Sequence, residues 1–161
     1  NAANDQRHDT MKTDETFWDW SINVNLRSYF FACQSVIPGM QAAGGGSIIN
    51  FSSISFMMAD TGYAAYITAN AGIVGLTRTL AREFGPDRIR VNAVAPGWVL
   101  TERQKEMWVT PEALANHLAR QCLPDPIQPG DVAGTVLFLA SNASRMMTSQ
   151  TLVLDGGYIS G

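Results

Sequence analysis

Tyr66 and Asn70 lie four residues apart in the stretch "YAAYITANAG", residues 63–72. On a helix that spacing puts both side chains on one face, with two polar tips aimed at the same small volume. A phenol so placed can give or take a proton. Its ordinary pKa is near 10, so holding it as phenolate at neutral pH costs about 3 units, or roughly 4 kcal/mol. A cation beside it offsets that cost, and a neutral amide does not, although the amide of Asn70 can still hydrogen-bond a hydroxyl. Few other residues suggest chemistry. His8 and His117 are lone histidines with no catalytic role assigned. Cys33 and Cys122 stand far apart with no CxxC and no histidine pair nearby, which indicates neither a disulfide framework nor a metal site. Both read as buried, reduced thiols of a cytoplasmic protein.

The elements that must position Tyr66 follow a regular rhythm. Bulky apolar residues are spaced helically from about Phe17 to Met40, and the glycines at 44–46 stop that helix. "GSIINFSS" reads as a strand covered on both faces, and a second long helix runs from about Gly62 to Phe84. "IRVNAVAPG" is a strand from Ile89 that Pro96 and Gly97 break. Residues 98–128 form an excursion with a helix starting near Thr110 and Pro111, and "PGDVAGTVLFLAS" and "TLVLDGG" close the chain as helix and strand. Strands alternating with helices imply an α/β fold with a parallel sheet. Ligands of such sheets sit beyond the carboxyl ends of the strands, where Ser52, Ser53, Pro96 and Gly97 fall. Asn92 reads as a structural residue of its strand, and Asp155, Gly156 and Gly157 as a turn.

Composition narrows the field. The chain has 161 residues, 46% hydrophobic and 16% charged, with a net charge of -3. Its 11 Lys and Arg are scattered, so no basic patch exists to track nucleic-acid phosphates. No apolar run approaches the ~20 residues that span a bilayer, and no signal peptide opens the chain.

Several spacings together resemble the short-chain dehydrogenase/reductase family. That family carries a tyrosine followed four residues later by lysine, with a serine thirteen residues before the tyrosine; here Tyr66 and Ser53 in "NFSSIS" match. Asn25 in "NVNLRSYF" matches the family's active-site asparagine, and "PGWVLT" from Pro96 to Thr101 matches its "PGxxxT" turn. The opening "NAAN" is similar to the tail of its "NNAG" motif, with Ala3 in place of glycine. The resemblance implies a doubly wound, Rossmann-like sheet, NAD or NADP as cofactor in the complete protein, and an oxidoreductase that forms homo-oligomers, either dimers or tetramers. Tyr66 would be the base, Ser53 the orienter of the substrate oxygen, and Asn25 the anchor of a proton-relay water. Asn1, Ala2, Asn70, Pro96, Gly97, Val99 and Thr101 would face the cofactor. Ser55, Trp98, Arg103 and Gln104 would meet a small alcohol or sugar. The wording of "NAANDQRH", "PGWVLTERQ", "TPEA" and "QCL" is similar to bacterial aldose 1-dehydrogenases, which implies oxidation of a sugar hydroxyl to a lactone.

Two departures qualify this. Asn70 stands where the family has the lysine that lowers the tyrosine pKa and binds the nicotinamide ribose. The family's opening strand and glycine-rich, pyrophosphate-holding turn are also missing, so residues 1–161 read as the C-terminal part of a single domain. "AAGGGS" follows a helix and precedes a strand, the wrong order for that turn, and reads as a helix C-cap. The competing reading is a catalytically silent assembly module, in which Ala64, Ala65, Ala69, Gly72 and Gly75 let the second long helix pack against another subunit.

Overall fold

The computed structural model describes residues 3–159; Asn1 and Ala2, expected at the cofactor, lie outside them. Three parallel strands, β1 (Gly46–Phe51), β2 (Ile89–Pro96) and β3 (Thr151–Leu154), form one sheet in the order β1-β2-β3. Gly46 pairs with Ile89 at one end of β1 and Phe51 with Val94 at the other. β2 is central and its Val91, Ala93, Val94 and Ala95 are fully buried, as expected of a strand covered on both faces.

Side-chain alternation sorts the helices. Ile48, Ile89 and Val91 enter a core with Cys33 and Ile37 of α2 (Ser28–Ala42) and Leu80 and Ala81 of α4 (Ala64–Phe84). Their neighbours Ser47 and Arg90 point the other way, to the C-terminal end of α7 (Pro129–Ala140). There the Ser47 hydroxyl donates to the Leu139 carbonyl at 2.9 Å and the Arg90 guanidinium donates to the same carbonyl at 2.8 Å. Helices therefore cover both faces of the sheet, and the fold is a Rossmann-like α/β sandwich.

The expected first helix is longer and is not uniform. It starts as α1 (Glu15–Ile22), where Asp14 caps it by accepting from the Phe17 N–H at 2.8 Å. It widens into a π-helical turn over Asn23–Arg27 before continuing as α2. Gly44 and Gly45, at φ 80° and 147°, end α2, and the Gly45 N–H returns to the Met40 carbonyl at 2.9 Å. That is the C-cap read from the sequence. The second long helix starts at Ala64 rather than Gly62, because Gly62 at φ 85° and Tyr63 at φ -161° lie outside the helical region.

Three expectations need correction. The excursion holds two main helices, α5 (Glu102–Met107) and α6 (Pro111–Leu118), where one was expected. α5 is polar and has no apolar stripe to reveal it. Cys122 is exposed, and only Cys33 is buried. Part of the small face of α4 is used within the chain: Ala65 and Ala69 are fully buried and a Cβ on Gly72 would lie 2.8 Å from Leu26, while Ala64 is half-buried and Gly75 stays exposed. Among the described residues no helix is long and apolar enough to cross a membrane.

Candidate active site

The carboxyl ends of β1 and β2 open on a cavity of about 610 Å³. Its wall brings together Asn25, Ser53, Ser55, Tyr66, Asn70, Pro96, Gly97, Trp98, Val99, Thr101 and Gln104. Residues from four helical elements and two strand ends thus meet in one cavity. Arg103 is the exception, since it is not part of the wall.

Tyr66 projects from the first turn of α4. Its ring stacks on that of Tyr63 at 5.8 Å and 27°, and the Tyr63 hydroxyl donates to Asp60 at 2.8 Å. Burial pushes the Tyr66 pKa above the ordinary tyrosine value. The nearby Ser53 hydroxyl pulls it down, the Asp5 charge pushes it up, and the Asn70 amide and the more distant Arg7 charge pull it down again, leaving it raised. Ser53 sits just past β1 and accepts the Ser55 N–H at 3.2 Å, which begins the short helix α3 (Ser55–Met58). Ser52 ties the strand end to α4 through a 2.9 Å bond to the Asn70 carbonyl.

Asn70 is 3% exposed, and its amide nitrogen donates to the Tyr66 carbonyl of its own helix at 2.9 Å. The side chain also lies on the cavity wall, close enough to the Tyr66 hydroxyl to favour its ionised form. Asn25 occupies the π-helical turn, a distortion frequent at functional sites. Its Oδ1 accepts the Asn4 N–H at 2.8 Å, while its Nδ2 donates to the Asn4 carbonyl at 3.0 Å and to Ser21 Oγ at 3.3 Å. The amide therefore pins residues 3–8 beside Tyr66.

The far wall comes from the excursion. Thr101 caps α5 by accepting the Gln104 N–H at 3.2 Å. Trp98 Nε1 donates to Gln104 Oε1 at 2.9 Å, and Gln104 Nε2 donates to Asp5 at 3.4 Å. Arg103 closes the same link with a 3.2 Å ion pair to Asp5. His117 stacks on Tyr158 at 4.4 Å and meets Trp98 edge-on at 5.2 Å, and burial lowers its pKa. Sequence reasoning assigned no site role to Asp5, Arg7, His117 or Tyr158. Only the charged run after "NAAN" hinted at the first two, and nothing in the spacing hinted at the others.

The segment from Pro96 to Thr101 passes close to the turn at Asp155 and lines the cavity. A Cβ on Gly97 would stand 3.0 Å from the Asp155 backbone, so the chain passes too closely there for a side chain. The Thr101 hydroxyl spends its acceptor side on the cap and keeps its proton to donate. These residues fit a nicotinamide carboxamide. No cluster of His, Cys, Asp or Glu suited to a metal occurs among the described residues.

Comparison with known proteins agrees with this geometry. A family model described as Enoyl-(Acyl carrier protein) reductase, of the short-chain alcohol dehydrogenase type, matches residues 1–159. The chain is 51% identical over 157 residues to "Probable galactose dehydrogenase GalD" of Rhizobium meliloti, covering 98% of this chain and 61% of that protein. It is 49% identical over 158 residues to a D-xylose 1-dehydrogenase of Caulobacter vibrioides, covering 98% and 63%. It therefore spans less than two thirds of the length of either relative. The structure of 4-hydroxyisoleucine dehydrogenase complexed with NADH superposes with a TM-score of 0.93 at 28% identity, over 99% of this chain and 66% of that one. By these matches and by its site, the chain belongs to the short-chain dehydrogenase/reductase family.

Proposed function

We propose that residues 1–161 are the C-terminal, substrate-side part of an NAD(P)-dependent oxidoreductase domain that oxidises a sugar hydroxyl at the anomeric carbon to a lactone. The observation that carries this reading is that Tyr66, Ser53 and the segment from Pro96 to Thr101 line one cavity. Similarity to proteins named for galactose and D-xylose oxidation supports the substrate class. When bound, NAD(P) would supply the hydride acceptor. Thr101 and the backbone at Pro96, Gly97 and Val99 would hold its nicotinamide amide, and Ser53 would hold the substrate oxygen by hydrogen bonding. Tyr66 Oη would take the proton of the sugar hydroxyl.

The test fuses the cofactor-binding half of the galactose dehydrogenase relative in front of this chain and follows oxidation of D-galactose and D-xylose. Lactone formation that Tyr66→Phe abolishes is the expected result. Absence of aldose oxidation from neutral to strongly alkaline pH would sink the reading.

The buried Asn70 amide, turned onto its own helix, favours a second reading, a catalytically silent assembly module. In either case we infer a homo-oligomer. Phe30, Phe31 and Val36 on α2, and Leu137 and Phe138 on α7, are exposed apolar residues that a second copy would cover. Light scattering that gives a monomer at every accessible concentration would refute it. The unpaired Cys33 and Cys122 support a reducing compartment such as the cytoplasm.

A further inference from the structure

We infer that Asp5 selects a neutral, polyhydroxylated ligand in this cavity by accepting hydrogen bonds from two neighbouring hydroxyls. The inference rests on the proposed sugar oxidation and narrows it to a residue.

Asp5 lines the cavity and sits close enough to Tyr66 for its charge to act on the phenol. Its carboxylate is held by two neighbouring residues of α5. Oδ1 takes Arg103 at 3.2 Å, Oδ2 takes Gln104 at 3.4 Å, and Gln104 is itself fixed by Trp98 at 2.9 Å. An ionised carboxylate has about four acceptor positions, so these two donors leave one on each oxygen. Two parallel acceptors on a fixed group match two adjacent hydroxyls of a sugar ring.

Charge points to the same class of ligand. Asp5, Arg7 and Asp60 line the cavity, and Arg103 lies against Asp5 from outside it. Two carboxylates and two guanidiniums cancel, which leaves no net charge to draw a charged ligand. The remaining surroundings suit a polyol. Trp98 and Trp108 line the cavity with aromatic surface.

The competing role for Asp5 is a simple latch between residues 3–8 and α5. The test uses the 161-residue chain, with NMR signals of the Tyr66 ring and Trp98 indole as reporters. The Tyr66 signal is assigned by its loss in Tyr66→Phe. D-galactose and D-xylose are the probes, and cyclohexanol is a ring of similar size with one hydroxyl. Both sugars should shift Tyr66 and Trp98 saturably. Asp5→Asn, which keeps the shape but turns one acceptor into a donor, should weaken the sugars by at least about tenfold and leave cyclohexanol unchanged. Arg103→Met, which removes the ion pair of the latch and keeps the carboxylate, should cost no more than about threefold. Equal losses in the two variants, or a loss in Asp5→Asn that extends equally to cyclohexanol, would make Asp5 a latch alone and overturn the proposal. Unchanged sugar affinity in Asp5→Asn would overturn it and leave sugar binding beside Tyr66 intact. Sugars that fail to move Tyr66 at all would remove both this proposal and the reading beneath it.

Discussion

At Tyr66, burial and the Asp5 charge outweigh every group that favours the phenolate, and no cation sits where position 70 could supply one. The phenol therefore stays protonated at neutral pH, and base catalysis by it should strengthen as pH rises. In the fused form described above, Asn70→Lys should raise neutral-pH oxidation. A two-unit fall in the tyrosine pKa corresponds to as much as roughly a hundredfold in rate where phenolate population is limiting. Paired pH-rate profiles of the two forms check this, with the lysine form rising at lower pH. If the asparagine form is already fast at pH 7 and lysine adds nothing, another cation serves Tyr66. Arg7 would be the first to examine, since it is the one cation the phenol feels. It already lies over the Tyr63 ring at 3.7 Å, next in the stack to Tyr66.

The π-helical turn over Asn23–Arg27 joins fold and site, because it directs Asn25 inward to grip the backbone of Asn4. Asn25→Ala should cost about 2 kcal/mol, since it strips partners from part-buried backbone groups, and urea unfolding measures it. The same change should loosen Asp5 and Arg7, the part of the wall that Asn4 leads into. The strands and the two long helical runs were legible in the sequence because apolar periodicity over many residues reflects burial directly. The π turn was not, because one wide turn barely disturbs that period. α5 escaped because "ERQKEM" has no buried residue, and its start depends on the Thr101 cap. Within the site, Ser53, Tyr66 and Asn25 were singled out by the resemblance to the family's motif, and all three line the cavity. Asp5 with Arg103 could not be singled out, because they meet across 98 residues and only the finished fold brings them together.

For the molecule as a whole, buried phenols set the alkaline limit of stability. Tyr29 and Tyr63 are both pushed from 10 to about 12, chiefly by burial, and burial also raises Tyr66. The folded chain thus holds these protons more tightly than the unfolded one, so their contribution is complete below pH 10 and is lost as pH climbs toward about 12. Thermal unfolding followed between pH 8 and 12 should show the midpoint falling above pH 10, and Tyr63→Phe should flatten the fall. The sheet edge has a consequence of another kind. Gly46 and Ser52 send their amides inward, to Arg88 at 3.2 Å and Val94 at 2.8 Å, so alternation turns the amides of Ser47, Ile49 and Phe51 outward along an edge no described strand covers. Hydrogen-deuterium exchange across β1 should therefore alternate residue by residue, with those three amides exchanging at least about a hundredfold faster than their even-numbered neighbours. Where another strand docks on that edge, whether from a longer chain or a second copy, the alternation should disappear and the odd-numbered amides should become as slow as the rest.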